Sequence, residues 1–346
     1  MARGAGLKDM KNVTIKDIAV RLGVSHPTVS RALRDSPSVR PETRRRIRET
    51  ADALGYIPHS GARMLRRTRS ELIGVIFPDV VNDFYSRIMS RLSASFLQHE
   101  YKLVLATSED QPAIEREQIR SLREARVAGI IIAPTARPCA ESIGLLAAIP
   151  TVQLLRRHPR LAAPAVALDE RAGIAMAVRH LAARSHARIG YIGSSSQLST
   201  GRERVQGYLR TLRGMSLDSD PGLLRQGPPR RDFGHRAMLE LLSLPAPPTA
   251  VILAGPELAV GALAAIREQG ISVPGRLALI AYHDPDWFEL WGPGISCMRL
   301  PVDAMASAAA SLLLESLLAS DAGTAVRSPA TRISRFQSTL IARGSS

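Results

Sequence analysis

The stretch Thr14-Ile15-Lys16-Asp17-Ile18-Ala19-Val20-Arg21-Leu22-Gly23-Val24-Ser25-His26-Pro27-Thr28-Val29-Ser30-Arg31-Ala32-Leu33 decides how the chain begins. Thr14 stands where a helix N-cap belongs, and Asp17, three residues on, can reach back to the free amides as an acidic capping box. Ile15, Ile18, Ala19 and Leu22 recur at helical spacing and make one apolar face. Gly23 can take the left-handed conformation that ends a helix. Ser25 then caps a second helix, with Pro27 in its first turn where a missing N–H costs little. Val29, Ala32 and Leu33 face inward, which leaves His26, Pro27, Thr28, Ser30 and Arg31 on or near the outer face. A helix, a tight turn and a second helix with polar residues outward is the helix-turn-helix plan, whose second helix enters the DNA major groove. Capped helix pairs with a glycine turn also occur in proteins that never meet nucleic acid, so the surroundings must decide.

Charge placement is the first such evidence. The chain of 346 residues carries a net charge of +15, with 45% hydrophobic and 22% charged residues. Residues 1–70 hold 16 Lys+Arg against 6 Asp+Glu, or +10 of the +15; the rest holds 30 against 25. A basic module joined to a nearly neutral body is the pattern that phosphate-backbone binding produces. An arginine-rich composition would spread the excess evenly. The length fits two or three domains.

Cys139 and Cys297 are the only cysteines, too few for a disulfide framework or a cysteine-based zinc site. No metal or cofactor is called for. The leader through Asn12 has no signal-peptide core and is expected to lack fixed structure, and no run of about 18 apolar residues stands out as a membrane span. A reducing cytoplasm is the expected location.

Beyond Leu33, a Pro-containing loop leads to a third helix opened by Pro41 and stopped by Gly55, with Ile47, Ala51 and Leu54 as its core stripe. The cluster Arg44 to Arg48 reads equally as a solvated face or as a phosphate contact. Pro58 ends this domain, and Ser60 to Leu65 could make a short helix too brief to stand alone. From residue 72 onward short apolar runs alternate with helical segments. The expected strands are 72–77, 102–107, 129–134, 150–155, 188–193, 250–255 and 277–282, with helices near 82–99, 113–126, 170–184, 202–213, 232–242 and 257–269. That rhythm calls for parallel sheets covered by helices on both faces, arranged as two doubly wound lobes. Val302 to Leu318 reads as an Ala/Leu-rich core helix.

TIKDIAVRLGVSHPTVSRAL, followed by VRPETRRRIRETADALGYIPHSGARMLRRTRSELIGVIFPDVVNDFY, resembles the lactose-repressor (LacI) family of bacterial transcription regulators in motif order and spacing. The resemblance runs to near the C-terminus, with the N-terminal motif the most specific part. It implies a helix-turn-helix domain over 13–57, a hinge helix and linker over 58–70, and over 71–340 a two-lobed domain like a periplasmic sugar-binding protein, crossing between lobes near 167, 299 and 331. It puts His26 and Pro27 at the start of the recognition helix, with Thr14, Ser25, Thr28, Ser30, Arg31 and Arg63 among the DNA contacts. Arg31 is the candidate for bidentate pairing to a guanine edge. Leu65, an exposed leucine among arginines, takes the family's place of a wedge driven into the minor groove, which requires two hinge helices and so a homodimer on a near-palindromic operator. Gly61 and Arg40 depart from the pattern, where a β-branched or Ala residue and a Ser cap are usual. A hinge helix weakened by glycine would lean on DNA and on the partner subunit.

The resemblance also implies an effector cleft. Arg204, in GRERVQGY, matches the arginine that holds ligand hydroxyls or carboxylates; Asp83, Phe84 and Tyr85 follow the first strand at the lobe mouth. Gly255-Pro256 replaces the usual Asn-Asp, and Tyr282-His283-Asp284 replaces Tyr/Phe-Asp-Asp. With an aspartate exchanged for His283 beside Arg204, the cleft reads as friendlier to an anion, and a sugar or sugar acid is the expected effector, as in gluconate-type members that also carry His near this place. The alternatives are a solute receptor, for which the basic N-terminus without a signal peptide is a poor match, and an α/β enzyme. P-loop, G-x-G-x-x-G and G-x-S-x-G patterns are all missing, Ser194 to Ser196 have no evident base, and His186 reads as a helix end. No leucine heptads follow Arg343, which argues against a coiled-coil tetramer tail.

Overall fold

The computed structural model describes residues 13–33, 35–56, 70–321 and 332–346. The expectations for the leader, for Arg63 and Leu65, for the hinge helix and for the chain at 331 lie outside these residues. The chain divides into two units, Met1–Arg69 and Ser70–Ser346, taken here in turn.

In the first unit, α1 (Ile15–Leu22), α2 (His26–Ala32) and α3 (Pro41–Ala53) enclose one small core. Asp17 accepts hydrogen bonds from the Thr14 amide and hydroxyl, both at 2.7 Å. Gly23 ends α1 at φ +64°, a conformation that costs a residue without Cβ nothing. Ser25 Oγ accepts from the Thr28 amide at 3.4 Å and opens α2. Ile18, Ala19, Val29, Ala32, Val39, Ile47 and Ala51 are buried together, with Ile15, Leu22, Val24, Leu33 and Leu54 packed around them. Arg40 caps α3 without a side-chain bond, in keeping with the missing serine. Arg44 is neither simply solvated nor free: its Nη2 donates to the carbonyls of Ser36 and Val39, both at 3.0 Å, and so ties the loop between α2 and α3 to α3. Arg48 pairs with Asp35 in the same loop.

The second unit holds two six-stranded sheets. The first contains β1 (Leu72–Phe77), β2 (Lys102–Thr107), β3 (Gly129–Ile132), β4 (Thr151–Leu154), β5 (Ala165–Leu168) and β11 (Ile333–Phe336) in the order β11-β5-β4-β3-β1-β2. The second contains β6 (Ile189–Ser194), β7 (Leu224–Gly227), β8 (Ala250–Ala254), β9 (Ala278–Tyr282), β10 (Ser296–Arg299) and β12 (Thr339–Ile341) in the order β12-β10-β9-β8-β6-β7. Every pairing is parallel except β10 with β12. Helices α4 (Asp83–Leu97), α5 (Pro112–Glu124), α6 (Ala140–Ala147) and α12 (Val302–Asp321) belong to the first lobe. The second lobe has α7 (Glu170–Ala182), α8 (Ser199–Gly214), α9 (Arg231–Leu242), α10 (Pro256–Glu268) and the short α11 (Trp287–Leu290). One apolar core runs through both lobes, and a separate layer closes the outer face of each sheet.

The chain changes sheet after Leu168, after Arg299 and between Phe336 and Thr339. Strands β5, β7, β10, β11 and β12 and helices α6 and α11 add to the expected elements. They are short, and β7 (LRQG) is a half-buried edge with polar side chains, so periodicity had little to act on. The reading that no membrane-length apolar run exists needs correction: Val302–Ala319 has a mean hydropathy of 1.5 over 18 residues. In this fold it is a core helix, with Met305, Ala306, Ala309, Ala310, Leu312 and Leu313 buried in the first lobe.

Candidate functional site

Two surfaces carry the chemistry, one in each unit. On α2, Val29 and Ala32 point into the core, so helical geometry turns His26, Pro27 and Arg31 outward, and all three are exposed. Thr14 and Ser25 are exposed at the helix starts, while Thr28 and Ser30 are half-buried. Ser25 and Thr28 are joined by a 2.8 Å hydroxyl bond. The outer face of α2 thus presents an imidazole, a proline ring, hydroxyls and one guanidinium, a set able to read base edges and grip phosphates.

In the second unit, the loops after the strands of both sheets converge on a cleft between the lobes, at the carboxyl ends of parallel strands where ligands of open α/β sheets bind. Its inner chamber, about 70 Å³, is lined by residues that include Asp79, Asn82, Phe84, Tyr85, Arg156, Arg204, Gly255, Tyr282 and His283. An outer groove of about 640 Å³ shares Asp79, Pro229 and Glu257 with it. Asp83 is not among the chamber's lining residues; its carboxylate is 2.8 Å from Arg87 Nε and 3.7 Å from His283 Nε2.

Arg204 is buried and its bonding is internal. Nε and Nη2 donate to the two oxygens of Glu170 at 2.7 and 2.8 Å, and Nη1 donates to the Ala254 carbonyl at 2.9 Å. Its guanidinium carbon stands 4.2 Å from the centroid of the Tyr282 ring. Burial pulls its pKa down, but the Glu170 charge and hydrogen bonds more than offset this and hold the group charged. Arg156, which the sequence reading passed over, is built alike: buried after β4 and paired with Asp110. Leu155 before it sits at φ +62°, an uncommon conformation for a branched residue, turning the chain into the cleft. A basic residue straight after an apolar strand at the lobe mouth was the available signal for Arg156.

His283 also has a left-handed backbone, φ +80°, where an L side chain is strained. Its Nδ1 accepts from the Asp284 amide at 2.9 Å, which places the proton on Nε2. Nε2 is buried and has no hydrogen-bond partner among the described residues. Burial lowers the His283 pKa to about 4, so the ring is neutral at pH 7. Phe84 meets the His283 ring edge-on at 6.0 Å, and Tyr85 stacks on Phe77 at 4.8 Å, its hydroxyl pushed up to about 12 by burial. Gly255, in extended backbone, is the N-cap of α10 and lines the chamber. Asp284 faces away, held by Arg343 at 2.8 Å and by Arg299. Within the inner chamber, Arg204 and Arg156 each carry their own carboxylate, and His283 is uncharged.

Contacts join the lobes on both flanks of the cleft. Arg87 of α4 meets Asp286 at 2.8 Å. Arg157 pairs with Glu203 of α8, and its amide donates to Ser199 Oγ at 3.0 Å. Glu203 also meets Arg335 at 3.3 Å; burial raises its pKa, but the hydrogen bonds from both arginines outweigh that and lower it. Among the described residues no cluster of His, Cys, Asp and Glu is placed to hold a metal ion.

Comparison with known proteins agrees with both surfaces. Residues 14–59 match the family of bacterial regulatory proteins, lacI family, and residues 178–346 match the periplasmic binding protein-like domain. The HTH-type transcriptional regulator GalR of Salmonella typhimurium is 32% identical over 302 residues, covering 87% of this chain and 88% of that protein. The HTH-type transcriptional repressor CytR of Escherichia coli is 30% identical over 315 residues, covering 91% and 92%. The lac repressor dimer bound to operator and the anti-inducer ONPF has the same fold, with a TM-score of 0.75 at 22% identity over 97% of this chain and 99% of that one. A transcriptional regulator CelR–cellobiose complex superposes with a TM-score of 0.71 at 24% identity, covering 97% and 100%. With the lacI-family match at its N-terminal helices and relatives of this identity along nearly its whole length, the chain belongs to the LacI family of DNA-binding transcriptional regulators.

Proposed function

We propose that this regulator is a repressor acting in the cytoplasm as a homodimer on a near-palindromic operator, and that a small uncharged sugar bound between the lobes switches its affinity. The observation that carries the effector class is the His283 Nε2–H, buried without an acceptor 3.7 Å from the Asp83 carboxylate of the opposite lobe. A sugar hydroxyl seated there accepts from His283 and donates to Asp83, linking the lobes through the ligand. Of the two expected classes, sugar and sugar acid, the neutral one is favoured because both guanidiniums of the inner chamber, Arg156 and Arg204, are already matched by carboxylates. The relative solved with cellobiose supports a sugar, and the inner chamber is too small for one until the lobes shift, which couples binding to lobe arrangement.

Arg31, His26 and the hydroxyls of α2 are the proposed base and phosphate contacts. The resemblance adds Arg63 and the Leu65 wedge. Dimerisation is proposed through the unpaired edge of β2 and the exposed Leu105 beside it, 39% accessible, continued by Leu290 of the second lobe, 85% accessible.

Thermal-shift titration of the full chain with monosaccharides, disaccharides and their sugar acids tests the effector class. A neutral sugar is expected to stabilise the protein and change operator affinity; stabilisation by sugar acids alone overturns the neutral reading. Leu65→Ala is expected to weaken operator binding while nonspecific binding falls little, and equal losses on both DNAs would remove the wedge.

A further inference from the structure

Another cavity lies against the second lobe, away from the cleft chamber, and four arginines are among its lining residues. A groove of about 590 Å³ lies between α7 and α8 and is lined by Arg171, Arg179, Arg210 and Arg335 with Asp169 and Glu203. Its shape follows from sequence spacing. Arg171, Ala175 and Arg179 succeed one another at four-residue steps along one face of α7, and Glu203, Gly207, Thr211 and Gly214 follow at steps of four, four and three on α8. Small residues open the floor and long cationic ones form the rim. The helices touch at Gly207, where an added Cβ would lie 2.9 Å from the Arg171 Cα.

Both carboxylates in the groove are already engaged. Asp169 caps α7 by accepting from the Ala172 amide at 3.0 Å, and Glu203 is shared between Arg157 and Arg335. Arg171 donates only to the uncharged side chain of Gln206, at 2.7 Å. Arg179 and Arg210 have neither an ion pair nor a hydrogen bond among the described residues, so three guanidiniums stand around one concave space without an ion pair, against the single negative charge of Asp169. Guanidinium forks match phosphate oxygens two at a time, and several around one pocket bind a multiply charged anion far better than a single charge. Among the described residues no aromatic ring lines the groove, which gives them no platform for stacking a nucleobase.

We propose that this groove is a second ligand site that takes a small phosphate-bearing anion and is linked to the cleft through Glu203. An anion that engages Arg335 competes with Glu203 for it. Glu203 is also the partner of Arg157 from the other lobe, so occupancy of the groove alters a contact that holds the lobes together.

Inorganic pyrophosphate titrated calorimetrically into the full chain, in phosphate-free buffer at constant ionic strength, tests the site. Saturable binding is expected, weakened at least tenfold in the double variant Arg179→Ala/Arg210→Ala. The double variant Arg123→Ala/Arg267→Ala removes the same charge elsewhere on this unit and is expected to bind as the parent does. No saturable binding, equal weakening in both double variants, or undiminished binding in the first, which would locate the anion on the basic N-terminal unit, each overturns the proposal.

Discussion

Arg204 and Glu170 share two hydrogen bonds, of 2.7 and 2.8 Å, inside the cleft wall, with both side chains almost completely out of contact with water. Arg204 is therefore a structural residue of the second lobe, and substitutions at it report on folding whatever their effect on a ligand.

Glu170→Ala leaves a buried guanidinium without its counter-charge, and Arg204→Ala leaves a buried carboxylate. Each is expected to cost about 3–5 kcal/mol in chemical denaturation. The double variant should cost clearly less than the sum, since removing both charges removes the unpaired one. An additive double variant would show that the pair does not act as a unit.

His283 makes stability depend on pH. Its pKa is about 4 in the folded protein and near 6.5 when exposed, so below pH 6.5 the unfolded chain takes up a proton that the folded chain refuses. Stability from this group is present above pH 6.5 and is lost as pH falls toward 4, by at most roughly 3 kcal/mol. His283→Asn, which tolerates the positive φ, is expected to flatten the denaturation midpoint over that range relative to the parent. Parallel curves for the two proteins would contradict it.

The lobe-spanning ion pairs should differ in worth. Asp286 is 95% exposed, and Asp286→Asn is expected to change stability by less than about 1 kcal/mol. Glu203 is 6% exposed and serves two arginines, so Glu203→Gln should cost more than Asp286→Asn in the same assay. Equal effects would mean that burial does not set their strength.

Arg31 is exposed and lies on the face of α2 opposite the buried Val29 and Ala32. Arg31→Ala is expected to lower affinity for an operator selected from random DNA by about 5- to 150-fold, the equivalent of one bidentate base contact. Melting of the protein alone should not change. A loss of the same size on nonspecific DNA would make it a phosphate contact.

The sequence by itself determined the first unit almost residue by residue. Thr14, Asp17, Gly23, Ser25 and Pro27 specify helix starts and stops by local hydrogen bonding and backbone preference, and Ile18, Val29 and Ile47 specify the core by helical period; none of this needs distant partners. The alternation of apolar runs and helices likewise determined two parallel-sheet lobes. The tertiary structure alone decided the state of the cleft. That Arg204 meets Glu170, that Arg156 meets Asp110, and that His283 is buried against Phe84 each depend on residues dozens to hundreds of positions apart. The charge a side chain shows to a ligand is set by those neighbours and by exclusion of water, not by its own identity.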